Sequence, residues 1–363
     1  MEIILIISQA LLYLFFSILV GSFILLLVPS KYRPDIKIPK RFLLISAIAI
    51  PILSFIPVLE SILYIAPRLG LFESFKIVLT TYTVGNAWDF TLLGSVVLIL
   101  LISLTRFPEK DIFAYLGAFV TFFLILTIAW SSHAGAVDPM LGIISDFIHL
   151  TAVSIWVGIL LIIAWCSINQ NNWLEFLSWF SMVAFGCLIA TALSGLFLMD
   201  IMVDGYIDSW MVSYGQGLLL KHLFLLPLVF YALVNSLIVK HKLSKDDSFN
   251  PIPWIRVEGF ILLTIFTITA TYSQQSPPHG NYLTSDTVSP LFRLFHADII
   301  NYSNTIGFAV NLNTVLFFFL SILFIGLIAL SFFKKASIIV SFLFSCLFVT
   351  SIYFMLMVTV VIR

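Results

Sequence analysis

Residues 145–167 read SDFIHLTAVSIWVGILLIIAWCS, and after Asp146 and His149 no charged side chain follows to the end of the run. About 20 such residues, rising 1.5 Å each as a helix, cross the roughly 30 Å hydrocarbon layer of a bilayer. A membrane-barrel strand alternates apolar and polar positions, and this run does not. In hydrocarbon the backbone must satisfy its own hydrogen bonds, so the stretch is a helix that spans. The whole chain repeats that character. Its 363 residues are 61% apolar and only 10% charged, with a mean hydropathy of +1.12. A soluble domain carries about 25% charged residues, so a soluble enzyme and a disordered tail are excluded. Eighteen basic residues balance eighteen acidic ones. With no net field to attract a polyanion, nucleic-acid binding is excluded as well.

Ten runs satisfy the same length criterion: Ile3–Val28, Phe42–Ala66, Trp88–Arg106, Ile112–Trp130, Ser145–Ser167, Phe176–Met199, Ser213–Val239, Trp254–Tyr272, Asn311–Phe333 and Ser337–Ile362. The expected fold is therefore an all-α polytopic bundle embedded in the lipid bilayer. The first run has no basic residue before it and no small-residue cleavage site after Pro29, so it reads as a span and not as a signal peptide. Pro51 and Pro57 are expected to kink the second helix, and residues 68–87 to form a surface helix. Thirteen of the eighteen basic residues, including the five in 29–41, Arg106, Lys110, Lys334 and Lys335, fall on one side of this arrangement. The positive-inside bias then places both termini outside the cytoplasm. Residues 1–111, 112–278 and 279–363 are expected to act as one integral membrane unit.

Ionisable groups inside such helices cost about 2.5–3.5 kcal/mol each at the bilayer centre and mark polar interiors or pathways. Asp146 and His149 are three residues apart, which puts both on one helix face. A carboxylate beside an imidazole suits a metal ligand or a proton carrier. The bland alternative is a helix–helix clamp. Lys221 and His222 lie about two turns into the seventh span, which puts His222 at nearly the depth of His149. Asn235 and Glu258 lie near the opposite end of their spans, as oxygen ligands or as a proton site. On the outer side stand His133, Asp138 and Met140 in 131–144, Met199, Met202 and Met211 around an acidic connection, and His279 and His296 in 273–310. Imidazole and thioether favour copper, thioether sulfur especially Cu(I), although a single methionine is ordinarily apolar filler. Trp156 and Gly158 are packing positions. Cys166, Cys187 and Cys346 are isolated and read as small buried hydrophobes. No phosphate-binding glycine loop is present, so ATP-driven pumping by this chain is excluded.

Taken in order, Ser132-His133-Ala134, Asp146-x-x-His149, Trp156-Val157-Gly158, Phe180-Ser181-x-x-Ala184, Thr191-x-x-x-Gly195, Tyr214-Gly215-x-x-Leu218-Leu219-x-Lys221, Asn235, Arg256-x-Glu258 and Pro277-Pro278 resemble the CopD family of bacterial copper-resistance membrane proteins, the PcoD- and YcnJ-like group. The resemblance covers about residues 112–278. It implies copper transport, most simply uptake, across the bacterial cytoplasmic membrane. His133, Met140, Asp146, His149 and His222 would be the metal residues, and Asp138, Lys221, Asn235 and Glu258 the pathway or gate. It further implies a CopC-like copper-binding partner, expected as a separate protein because this sequence opens on a span. Two alternatives remain at this level. A haem b oxidoreductase could use His149 and His222 (or His133) as axial ligands. A docking partner for a CopC-like chaperone would use the outer loops instead. In the leading reading the chain is not an enzyme.

Overall fold

A computed structural model describes residues 1–104, 111–245, 249–280, 282–284, 286–297, 304–334 and 336–363. Arg106, Lys110, Asp298 and Lys335 lie outside the described residues. Ten helices among the described residues are long and apolar enough to cross a membrane. They are α1 (Glu2–Leu27), α2 (Lys40–Leu69), α3 (Thr83–Leu104), α4 (Asp111–Trp130), α5 (Leu141–Cys166), α6 (Trp173–Met202), α7 (Ser213–Leu243), α8 (Ile252–Tyr272), α9 (Leu312–Phe333) and α10 (Ile338–Thr359). The protein is a multi-pass membrane helix bundle. Its chain divides into two compact units, Met1–Ile201 and Met202–Arg363.

In the first unit α1 packs most extensively against α5. Lipid is as apolar as leucine, so helices in a bilayer associate by close packing and not by escape from water. Small residues make that approach possible here. A Cβ placed on Gly158 would overlap the Ser17 carbonyl, and one placed on Gly21 would overlap the Gly158 backbone. Around the crossing, Phe16, Leu19, Val20 and Phe23 of α1 share a buried cluster with Leu43, Ala47 and Ile50 of α2, Leu98 and Ile102 of α3, and Leu124 and Ile125 of α4. Polar pegs join the helices: Thr91 and Thr127 hydroxyls are 2.7 Å apart between α3 and α4, and Trp88 Nε1 donates to Pro51 O at 2.8 Å. Helix α2 runs unbroken through Pro51, Pro57 and Pro67. It turns at Gly70, whose φ of 79° favours glycine, into a short helix, Leu71–Thr81, that ends just before α3. The connections 28–39 and 167–172 are tied by Asn169, which donates to Asp35 Oδ2 at 2.7 Å and accepts from Asp35 N at 3.2 Å.

The second unit pairs α7 with α8 and α9 with α10, with α8 and α7 also lying on α10. Between α7 and α10 a buried polar knot forms. Gln216 Nε2 donates to Trp210 O, while Gln216 Oε1 accepts from the Tyr353 hydroxyl. Helix α7 contains a π-helical turn, Val234–Val239. The last run departs from expectation at its end. Helix α10 stops at Thr359, and Val360–Ile362 (β2) pairs antiparallel with Ile306–Phe308 (β1). Three consecutive β-branched residues follow the last helical turn there, and such side chains favour a pleated backbone. Helix α5 begins at Leu141, four residues before the expected Ser145, because Asp138 Oδ1 accepts from Met140 N at 3.0 Å and Leu141 N at 2.9 Å.

If the α1–α5 crossing organises the first unit, Gly158→Val should lower its stability by at least about 1–3 kcal/mol, the usual cost of overpacking. Gly186→Ala, whose added Cβ would meet nothing within 4 Å, should leave the melting temperature unchanged or slightly higher. Thermal unfolding of the two variants in detergent, side by side, checks this.

Candidate functional site

The first unit places exposed His133 and Met140 and half-buried Asp146 and His149 on consecutive elements. Ser132 caps the short helix His133–Val137 by accepting from Gly135 N at 3.1 Å, which leaves His133 exposed at the helix start. Gly142, in the first turn of α5, sits so close to the Ala134 carbonyl that a Cβ would overlap it. The short helix and α5 are thereby locked together. Met140 is 77% exposed. Asp138, expected as a pathway carboxylate, spends one oxygen on capping α5, a common role for aspartate before a helix.

One turn further along α5 come Asp146 and His149, both half-buried. His149 Nδ1 lies 3.1 Å from Ser194 Oγ of α6, and Ser194 Oγ donates to Ala190 O at 2.6 Å in its own helix. Gly195 stands against the same ring. A Cβ there would come within 3.4 Å of His149 Cε1 and 3.6 Å of Nδ1. Ser194 was not among the residues expected from sequence. The signal that could have found it is the pair of small-residue steps Ala190-x-x-x-Ser194 and Thr191-x-x-x-Gly195, which mark a helix face open to a close neighbour. Trp156 is buried on the same helix, with its Nε1 unpartnered among the described residues, and Gly158 forms the α1 crossing.

The second unit holds the other intramembrane groups. His222 Nδ1 is 2.7 Å from the Tyr206 hydroxyl, in the connection before α7. Burial pushes the Tyr206 phenol up to about 12, so it keeps its proton at any physiological pH. An aromatic series continues from it, with Tyr206 and Trp210 ring centres 5.9 Å apart and Trp210 and Phe308 6.1 Å apart. Lys221 Nζ donates to the Tyr272 hydroxyl at 3.4 Å. At the other end of the helices Asn235 Nδ2 donates to Glu258 Oε2 at 2.7 Å, with both residues buried. Asn235 lies in the π-helical turn, a feature often found at functional sites. Its Oδ1 has no partner among the described residues.

The weaker outer-face residues separate into two kinds. His279 is surface-accessible, with Nδ1 3.7 Å from Asp204 Oδ2. Gly280 N donates to the same oxygen at 2.7 Å, which folds the Pro277-Pro278 turn over the acidic connection. His296 is buried, with Nε2 3.1 Å from Val360 O and Nδ1 3.4 Å from Phe292 O, and it stacks on Phe292 at 4.3 Å. It holds the C-terminal strand in place. Met202 and Met211 are buried and Met199 is half-buried, so the first two fill apolar space in this arrangement. Among the described residues no three His, Cys, Asp or Glu side chains gather where a metal could be held.

Comparisons with known proteins point in one direction. Residues 1–143 match the family described as Copper resistance protein D-like, N-terminal domain, and residues 174–272 match Copper resistance protein D. Asp146 and His149 lie between the two matched stretches, while His133 lies in the first, and Ser194, Gly195, His222, Asn235 and Glu258 lie in the second. The copper transport protein CutJ of Bacillus subtilis (strain 168) is 32% identical over 180 residues, 46% of this chain and 32% of its own length. The chain therefore spans about a third of that curated relative. No solved structure matches. With both family regions present in order and covering about two thirds of its residues, the chain belongs to the copper resistance protein D family.

Proposed function

We propose that this protein carries copper across the bacterial cytoplasmic membrane, inward from the side on which both termini lie. The observation that carries this reading is the half-buried Asp146–His149 step on α5, about two turns below an exposed mouth with His133 and Met140, in a chain of a copper-resistance family. Imidazole is a good copper donor, and a neighbouring carboxylate adds charge complementarity to a cation. A cargo site must release what it binds, because passage requires binding strong enough to enter and weak enough to leave. A two-residue step meets that condition better than a four-ligand cage. His133 and Met140 receive the ion, Asp146 and His149 hold it within the membrane, and Lys221 restrains cation passage by its charge. Asn235 and Glu258 supply a polar step at the inner end. A CopC-like copper-binding protein fits as the donor at the outer face. No residue here is assigned a catalytic role, and the chain acts as a transporter and not as an enzyme.

The decisive experiment is copper uptake into vesicles by the purified protein, with metal analysis of the same preparation. Uptake should fall at least tenfold in His149→Ala and Asp146→Asn. Full uptake by both variants overturns the intramembrane site. Stoichiometric iron with a Soret absorbance would instead support haem ligation, and dependence on His279 alone would support docking.

Two further outcomes follow from the same reading. Glu258→Gln should slow uptake while leaving copper affinity at His149 unchanged, measured by competition with a chromogenic chelator. Asn235→Leu removes a donor from a buried carboxyl group and should cost about 1–3 kcal/mol of stability, seen as a lower melting temperature. For orientation, a cysteine at the exposed Met140 in a background without Cys166, Cys187 and Cys346 should react with an impermeant maleimide on intact cells. One placed at Asn169 should react only after lysis.

A further inference from the structure

One end of the first unit gathers the C-termini of α1 and α5 with the N-termini of α2 and α6, and it carries positive charge that the copper pathway does not use. Lys31, Arg33, Lys37, Lys40 and Arg41 stand in or beside the connection from α1 to α2, with Asp35 the single acid among them. The facing connection 167–172 and the first turn of α6 add Glu175 and no base.

That connection is tied down along its length. Arg33 Nε donates to Val28 O at 2.9 Å and closes the end of α1. Lys37 N donates to Cys166 O at 2.9 Å, and Ile168 N donates to Asp35 O at 2.8 Å. From the start of α6, Asn172 Nδ2 donates to Ser30 O at 2.9 Å. A backbone held at so many points keeps its basic side chains at one level of the bundle.

The two acids leave most of this charge uncompensated. Asp35 Oδ2 accepts from Asn169 at 2.7 Å, and its charge acts on Arg33. Glu175 is exposed in the first turn of α6, where the helix dipole favours a carboxylate. Lys31, Lys37 and Arg41 are exposed, and none of the three forms an ion pair among the described residues. Lys31 Nζ instead lies 4.7 Å from the centre of the Tyr32 ring.

Aromatic residues with a polar edge fix the depth of this end. Such side chains settle at the headgroup layer of a bilayer. Tyr32 and Trp165 are each 44% exposed, and Trp179 Nε1 donates to Tyr32 O at 2.8 Å. Lys31 adjoins Tyr32, and Lys37 is bonded through its backbone to Cys166, the neighbour of Trp165. The exposed bases therefore stand at the level of the lipid phosphates, where each Lys or Arg is drawn to an anionic leaflet.

We propose that the α1–α2 connection is a binding platform for anionic phospholipid, in which Lys31, Lys37 and Arg41 meet headgroup phosphates while Tyr32, Trp165 and Trp179 lie at the boundary with the acyl chains. The bound lipid braces the connection and, through the Lys37–Cys166 bond, the end of α5. This assignment goes beyond the copper reading and does not rest on it. Its chemistry is phosphate recognition, so the test separates a lipid headgroup from a free phosphate.

The full-length protein in a nonionic detergent with phosphatidylcholine is titrated with phosphatidylglycerol, bound lipid being counted by native mass spectrometry and the melting temperature followed in parallel. The wild type should retain phosphatidylglycerol in preference to phosphatidylcholine and melt higher with it, and the preference should shrink as ionic strength rises. Replacing Lys31, Lys37 or Arg41 singly by Gln should weaken phosphatidylglycerol binding about fivefold, and replacing all three should weaken it on the order of a hundredfold. Arg68→Gln and Lys76→Gln, at exposed bases beside the other end of α2, should leave it unchanged. Equal retention of the two lipids overturns the proposal, as does wild-type affinity in the triple variant. Inorganic phosphate that reproduces the gain in melting temperature assigns a free-anion site and overturns the lipid. Should the triple variant fail to fold, the single variants carry the same comparison. None of these readouts involves copper, so their failure leaves the transport reading to its own experiment.

Discussion

Helix α5 carries Asp146 and His149 and the most extensive packing of the first unit, and its placement depends on a crossing where two backbones touch. At Gly21 and Gly158 neither helix has a side chain to hold them apart, and the Ser17 carbonyl fills the space a Cβ would need. In a bilayer, where apolar surface gains little by leaving lipid for protein, such close approach is the main source of attraction between helices. With α5 fixed there, Asp146 and His149 two to three turns away have a defined position. A larger residue at either glycine would move the whole helix, because packed interiors shift as units and do not yield locally.

Several polar groups within the helices are paired with one another. Threonine hydroxyls pair across α3 and α4, Gln216 is bonded from both ends, and Glu258 is met by Asn235. Polar pairs of this kind rigidify a core. His149 meets the Ser194 hydroxyl of α6 through Nδ1. The histidines thus divide by role. His296 clamps the C-terminal strand, His279 latches a surface turn, His222 meets a tyrosine, and His149 meets Ser194.

The number of spans, their approximate limits, the surface helix before α3 and the family were all legible in the sequence. Long apolar runs and the order of motifs along the chain are local properties. What was misjudged lay at ends and partners. The last run was read as helix to Ile362, and its final three residues are a strand, because hydropathy cannot distinguish a helical turn from an edge strand that finds a mate more than 50 residues earlier at Ile306–Phe308. Met202, Met211 and His296 looked available on an outer face and are buried there, because a connecting loop in this protein packs as a cap and not as solvated chain.

By itself, the sequence determined that the chain spans a membrane ten times, which side its charges favour, and which few ionisable groups sit where they are costly. Those follow from composition and period, which each segment carries with it. Only the tertiary structure decided what those groups can do. Which hydroxyl an imidazole meets depends on how separate elements pack. That neighbour comes from another element, 45 residues away for His149 and 16 for His222, and no local pattern encodes the direction of its bond.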